Sequence, residues 1–492
     1  MTEPVEGELL AWLGGRCERV IETACAHVFL AEGLAYKLKR HVDLGYVDFS
    51  TPERRLWALR RELEFNRTAA PDIYRALRRI TRQPDGGLAL DGDGETVEYL
   101  LEMRRFDDGA VLAANPAAID GGMAEALGRA IAGYHAAAPL RPEGGWSALA
   151  FTVGSNAELL RALAPRLDAD RIETLVALTA AELERQAPLL MARAANGFAR
   201  RCHGDLHLGN ILVEDGRPIL FDCIEFNDLL SDLDVLYDLA FLLMDLDFRG
   251  RRDAAVRVLS AYLDAAARNF PAGLWAGMAA LPVMMSVRAG VRAHVSAHSG
   301  EIETARAYLE AAIGHLSPPP PVLVAVGGFS GAGKSTFARA VAPGLGPAPG
   351  AVVLRTDEVR KRLARAGPVD RLSREAYTAE FHDLVYEAML ADARSLLTAG
   401  HAVVLDATFT EPRMRRRAEQ LAADLGVAFR GAWLAGPVEV LRARVAGRTG
   451  DASDATLEAL QAQIERHGGD AVDWPQVDAT ASTETAASAW LA

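Results

Sequence analysis

The sequence predicts two folding units in one chain: an N-terminal α+β unit, with a small strand-rich lobe ahead of a larger helical lobe, and a C-terminal α/β unit with a doubly wound parallel sheet. Three observations carry this. The 492 residues are too many for one ordinary core and enough for two or three. The stretch "HLSPPPPVLVAV" sets four consecutive prolines, Pro318 to Pro321, between a helical run and a β-branched strand, and such a run reads as a short, stiff spacer. The apolar pattern also changes across it. Residues 20–106 read as strands plus one strong helix, and residues 120–316 read mostly as helices. After the spacer, "VLVAVGGF", "GAVVLRTD", "HAVVLDATF" and "AFRGAWLAG" alternate with helical segments, the signature of a parallel sheet. The expected bounds are 1–316 for the first unit (lobes about 1–104 and 108–316), 317–321 for the linker and 322–492 for the second unit. No internal repeat relates the two halves.

Composition excludes several classes. Half the residues are apolar and 24% are charged, so the chain is globular. The start, "MTEPVEGELLAWLGG", is acidic without a basic flank, and apolar runs such as "ALPVMMSV" are far shorter than a membrane span, so a soluble cytoplasmic protein is expected. Cys17, Cys25, Cys202 and Cys223 show no paired metal-ligand spacing and read as reduced packing residues. The formal charge is −13, of which residues 322–492 carry −2, and this disfavours nucleic acid as a partner of either half. Only four of the 53 basic residues are lysines: Lys37, Lys39, Lys334 and Lys361. In so arginine-rich a chain, a lysine marks a place where a compact ammonium fits and a planar guanidinium does not.

The first constellation lies in "RCHGDLHLGNILVEDGRPILFDCIEF", residues 201–226. Asp205 and Asn210 are five apart, the spacing of the loop H-R-D-x-x-x-x-N, and Asp222 follows. In that arrangement Asp205 accepts a hydroxyl proton, while Asn210 and Asp222 hold magnesium ions against a transferred phosphoryl group. The apolar "ILV" and "ILF" put Asn210 and Asp222 at the ends of a predicted hairpin. The segment 201–245, with "DVLYDLAFLLMDL" after it, resembles the aminoglycoside phosphotransferase and choline kinase group of the protein-kinase-like fold, a likeness that covers roughly residues 20–316. Gly204 stands where protein kinases have arginine, and no A-P-E segment follows Asp222, so small-molecule hydroxyls are expected as acceptors.

The resemblance implies further residues. In "LAYKLKR" Lys37 would reach the nucleotide phosphates, with Lys39 as the alternative on the same strand face. "STPERRLWALRRELEFN" reads as a helix opened by a capping box from Ser50 to Glu53, carrying Glu62 as the ion partner of Lys37 and Glu64 as its competitor. "VEYLLEMRRF" reads as the last strand before a hinge, with Met103 near adenine or in plain core. A glycine-rich nucleotide loop is missing from "ETACAHVFLAEG".

The second constellation, "GFSGAGKS", is a complete G-x-x-x-x-G-K-[ST] loop between an apolar strand and a helix. The backbone from Gly328 through Ser330, Gly331, Ala332 and Gly333 to Thr336 would cradle phosphates, Lys334 would reach the β- and γ-phosphates, and Ser335 would bind magnesium. Asp406, at the strand end in "VVLDAT", reads as the carboxylate that steadies the magnesium from behind its direct ligands, or as a turn former. Asp357 in "VVLRTDEVRKRL" is either a helix cap or a general base at the carboxyl end of a strand. Arg444 and Arg448, one helical turn apart, read as a lid over the phosphates, and "RMRRR", Arg413 to Arg417, as a solvated helix face. From Gly327 to about Gln463 the chain resembles small P-loop kinases related to gluconate kinase, zeta-type toxins and polynucleotide kinases. The expectation is a tandem kinase using ATP and Mg2+ on small-molecule hydroxyls. The alternatives are one catalytic unit beside a sensing unit, and a nucleic-acid end kinase or toxin.

Overall fold

The computed structural model describes residues 3–43, 47–368, 370–447 and 456–492. Helix α1 (Glu3–Gly14) leads into strands β1 (Arg19–Glu22), β2 (Ala26–Leu30), β3 (Leu34–Lys39), β4 (Tyr74–Arg82), β5 (Leu88–Leu90) and β6 (Glu95–Arg104), with α2 (Pro52–Ala69) between β3 and β4. These strands form one antiparallel sheet in the order β1-β2-β3-β6-β4-β5. Side chains alternate faces along a strand. On β3, Leu38 joins Leu9 and Leu13 of α1 under one face, which leaves Lys37 and Lys39 together on the other, toward α2. Helix α2 buries Leu59 against Ile73, Tyr74 and Leu101 on that second face. Its N-cap is Thr51, whose hydroxyl accepts from the Arg54 N–H, with Pro52 at the first helical position. This corrects the capping box expected from Ser50: the Ser50 hydroxyl donates to Asp48 instead.

The helical lobe comprises α3 (Gly121–Ala137), α4 (Trp146–Ala162), α5 (Ala169–Ala195), α6 (Val235–Phe248), α7 (Arg252–Ala266), α8 (Leu281–His298) and α9 (Ile302–His315). Val235 to Leu246 of α6 are all buried, as an all-round apolar helix must be. Two short strand pairs sit at the lobe boundary: β7 (Ala199–Arg201) with β10 (Asp232–Asp234), and the hairpin β8 (Ile211–Glu214) with β9 (Arg217–Leu220).

The C-terminal unit is a five-stranded parallel sheet of β11 (Val322–Gly327), β12 (Val352–Arg355), β13 (Val403–Asp406), β14 (Ala428–Ala435) and β15 (Gln476–Asp478), ordered β12-β13-β11-β14-β15. Helices α10 (Lys334–Val341), α11 (Thr356–Leu363), α12 (Ala379–Thr398), α13 (Pro412–Leu425), α14 (Val438–Ala446), α15 (Leu457–His467) and α16 (Thr483–Leu491) accompany it. The four strands expected from apolar runs are β11 to β14. In the "RMRRR" stretch Arg413 pairs with Asp383, but Arg415 is buried and donates to the Phe409 and Thr410 carbonyls, so that face is not wholly solvated.

The proline run does not hold the units apart. Helix α7 covers the free edge of β12, where the Val353 N–H donates to Ser260 Oγ at 3.1 Å. Buried apolar side chains run without a break from Leu259 and Leu263 of α7 to Leu323, Val352 and Leu354 of the sheet, while Val256 joins Val324 and Val353 on the other side. Glu125 of α3 pairs with Arg257 of α7 and with Arg339 of α10, at 3.3 and 2.7 Å. Asp264 pairs with Arg362 at 3.2 Å. An exposed strand edge invites wrong pairing, and α7 closes this one.

Candidate active sites

The first site forms where β3, α2 and the β8–β9 hairpin meet. The hairpin pairs Ile211 with Leu220, which sets Asn210 and Asp222 side by side at its open end. The Asn210 amide donates to the Asp205 carboxylate and to its backbone carbonyl, both at 2.9 Å. Asp222 sits at φ +62°, a left-handed conformation uncommon outside glycine, fixed by donation of its N–H to Tyr74 OH and of the Cys223 N–H to Asn66 Oδ1.

Lys37 Nζ lies 2.6 Å from Glu62 Oε1 and 2.7 Å from Asp222 Oδ1. Lys39 Nζ lies 2.7 Å from Glu62 Oε2 and 2.6 Å from Glu225 Oε1. Both expected lysines therefore converge on Glu62, and Glu64 is exposed on the far side of α2. Burial alone would raise the Glu62 carboxyl, but the two ammonium groups outweigh it and hold it at about 2. Burial works against the charged form of Lys37 too, and Asp222 and Glu62 together keep its pKa well above the usual lysine value. Met103, near the end of β6, is half-buried with Phe106 and Phe221 at the lobe junction. The β1–β2 turn is only Thr23 to Cys25, closed by the Thr23 hydroxyl, and carries no phosphate-binding loop.

In the H-G-D loop, Gly204 adopts φ +86°, and a Cβ there would fall 2.5 Å from the Leu230 carbonyl oxygen. Glycine is thus required where a protein kinase has arginine. His207 Nδ1 accepts from the Gly209 N–H at 3.0 Å, which leaves the ring proton on Nε2, 3.4 Å from Asp205 Oδ2. Burial would raise the Asp205 carboxyl, yet His207 offsets this and holds it below the usual carboxylate range. Asp238, a residue not singled out from the sequence, accepts from the His203 and Gly204 N–H groups at 3.0 and 2.8 Å and pairs with buried His135. It lies within the quoted "DVLYDLA", with apolar residues on both sides, and that was its available signal.

The second site lies at the carboxyl ends of β11, β12 and β13, the switch point of the sheet. Gly331 and Gly333 take φ +84° and +87°, and at Gly331 a Cβ would meet the Leu441 carbonyl at 2.5 Å. Gly328, Ser330 and Ala332 are buried in the loop, and Thr336 is exposed on α10. Lys334 Nζ donates to the Phe329 carbonyl at 3.0 Å, and the Ser330 N–H donates to Gln463 Oε1 of α15. Arg355 stands between the two expected metal ligands: its guanidinium donates to Ser335 Oγ and to Asp406 Oδ2, each at 3.2 Å. Asp357 is the second residue of α11, whose N-cap is Arg355, so it does not occupy the cap position. Arg444 approaches the phosphate loop, its Nη1 3.8 Å from the position of a Cβ on Gly333. Arg444, Thr336 and Asp478 help line a cleft of about 350 Å³ beside the loop. Arg448 lies outside the described residues.

Fold and sites together define a chain with two kinase-type units in tandem. Residues 47–281 match the phosphotransferase enzyme family, and residues 323–469 match the AAA domain family of P-loop proteins. The chain belongs to the family formed by this tandem: it is 33% identical over 473 residues to an uncharacterized protein of Mycobacterium tuberculosis strain H37Rv, covering 92% of this chain and 90% of that one. An uncharacterized protein of Mycobacterium bovis matches equally. Among solved structures, a choline kinase from Cryptosporidium parvum is 9% identical over 63% of this chain and 94% of its own, with a TM-score of 0.41. A gluconokinase from Sinorhizobium meliloti is 23% identical over 35% of this chain and 91% of its own, with a TM-score of 0.25. Among the described residues, no helix is long and apolar enough to cross a membrane.

Proposed function

We propose that the chain is a bifunctional ATP-dependent phosphotransferase whose units, 1–316 and 322–492 about the linker 317–321, each pass a γ-phosphoryl group to the hydroxyl of a small molecule. The observation that carries this reading is the meeting of Lys37, Glu62 and Asp222 beside the bonded pair Asp205–Asn210. The first site fits magnesium by its donors, since Asn210 with Asp222 offers oxygen, as hard divalent cations require. In the second site Ser335 and Asp406 offer oxygen too, but both are hydrogen-bonded to the Arg355 guanidinium, which would have to give way to the ion. Three carboxylates, Glu62, Asp222 and Glu225, also face only two ammonium groups in the first site, which leaves negative charge for a cation to balance. Bound magnesium would neutralise charge on the phosphates.

The chain's own residues supply the rest. Asp205 takes the proton of the acceptor hydroxyl, whose oxygen bonds to the γ-phosphorus as the bond to the bridging oxygen of ADP breaks. Lys37 orients the phosphates, and Met103 contributes to the adenine wall. In the second site the loop N–H groups and Lys334 hold the phosphates, Asp357 serves as base and Arg444 closes over them. Asp205→Asn keeps the metal ligands and removes the base, so first-site turnover should fall about a hundredfold or more while nucleotide binding persists. Turnover within a few-fold of wild type would sink Asp205 as the base. A second reading, in which one site regulates the other, draws support from Glu125, which pairs with helices of both units.

A further inference from the structure

We infer that Lys39 is a positioning residue of the first site: it pins the helix carrying Glu62 to the segment after Asp222, and so keeps Lys37 aimed at the nucleotide. This rests on the first-site reading above. Glu62 divides its two oxygens between the lysines, Oε1 to Lys37 and Oε2 to Lys39. The two halves of this network differ in access. Lys37 and Asp222 are 14% and 45% exposed, whereas Lys39, Glu62 and Glu225 are 3%, 0% and 5% exposed. The outer half is open to phosphates and a metal ion, and the inner half is sealed. When nucleotide phosphates draw Lys37 toward them, Lys39 still holds Glu62.

The same helix is tied to the same segment at three more points. Asn66 accepts from the Cys223 N–H at 2.8 Å, Arg61 Nε donates to the Glu225 carbonyl at 2.7 Å, and Arg61 also pairs with Asp228. Helix position is therefore built into the resting chain, with no modified activation segment needed to set it. Lysine at this point in an arginine-rich chain fits the same account. A single ammonium here bridges two buried carboxylates and lies 5.2 Å from the Phe49 ring, the role of a compact point charge rather than a planar fork.

The test uses full-length protein carrying Lys334→Ala, so that calorimetric titration with Mg–AMP-PNP reports the first site alone. Lys39→Met should weaken binding at least tenfold, and in a Lys37→Met background it should cost little more, because Lys39 acts through Lys37. A merely structural lysine would lower the melting temperature and leave affinity unmoved, or give losses that multiply with those of Lys37→Met; either result overturns the inference. If Lys39→Met fails to fold, Glu225→Gln removes one anchor isosterically and should weaken binding at least threefold, and unchanged binding overturns the inference again. If Lys37→Met by itself leaves binding unchanged, the first-site reading falls and this inference with it. Loss with Lys37→Met but none with Lys39→Met refutes Lys39 alone.

Discussion

His207 shows how one side chain sets the working range of another. As the proposed base, Asp205 works only when ionised, so turnover should fall as pH drops through its pKa. His207 holds that pKa down against burial. His207→Asn can still accept from the Gly209 N–H but withdraws the ring from Asp205, whose pKa should rise. The acid limb of the first-site pH–rate profile should therefore move to higher pH, and an unmoved limb would remove His207 from this role. At this scale the sequence was informative wherever a residue type was rare. The lysine scarcity pointed to Lys37, Lys39 and Lys334, and the fourth, Lys361, is buried and donates to the Pro368 carbonyl. It could not choose between Lys37 and Lys39, because i and i+2 share a strand face and both reach Glu62. The partners Asn66, Tyr74 and Asp238 were illegible, since nothing in their spacing says which distant N–H group each will receive.

Helix α2 is the element on which the first site depends, and it is held from its first turn. Arg55, with no exposed surface, donates two bonds to equally buried Glu98 and a third to the Phe49 carbonyl. Removing one partner of a buried pair strands the other charge, so Arg55→Ala should cost about 3–5 kcal/mol in a denaturant titration. A loss under about 1 kcal/mol would mean that Glu98 finds another partner or is hydrated. Strands β11 to β14 were legible because a strand buried on both faces reads as a continuous apolar run. Strand β15, three residues of "QVD", has no run to read. The start of α2 was misjudged by one residue: Ser50 and Thr51 offer the same hydroxyl, and Pro52, favoured at the first helical position, decides for Thr51.

Across the whole molecule, the two units share one apolar core through α7. Nothing in the sequence of that helix announces it, because a face that meets another unit reads like any buried face. Truncating Leu259 to alanine should cost about 2–5 kcal/mol, and its effect should reach both units. Calorimetry should show the wild type melting in one transition that Leu259→Ala moves as a whole, whereas two separate transitions, one of them unmoved, would mean that the core is not shared in energy. Under the proposed reading this physical continuity does not merge the chemistry, since the motif residues of the two sites do not overlap.

That separation is tested most directly by counting labelled products. Wild-type protein, Asp205→Asn and Lys334→Ala are each incubated with γ-labelled ATP, magnesium and a fractionated metabolite extract, and the phosphorylated products are resolved. Two chemically distinct products are expected from the wild type, one lost in Asp205→Asn and the other lost in Lys334→Ala. A single product, or the loss of both products in either variant, would contradict two separate phosphoryl-transfer sites in one chain.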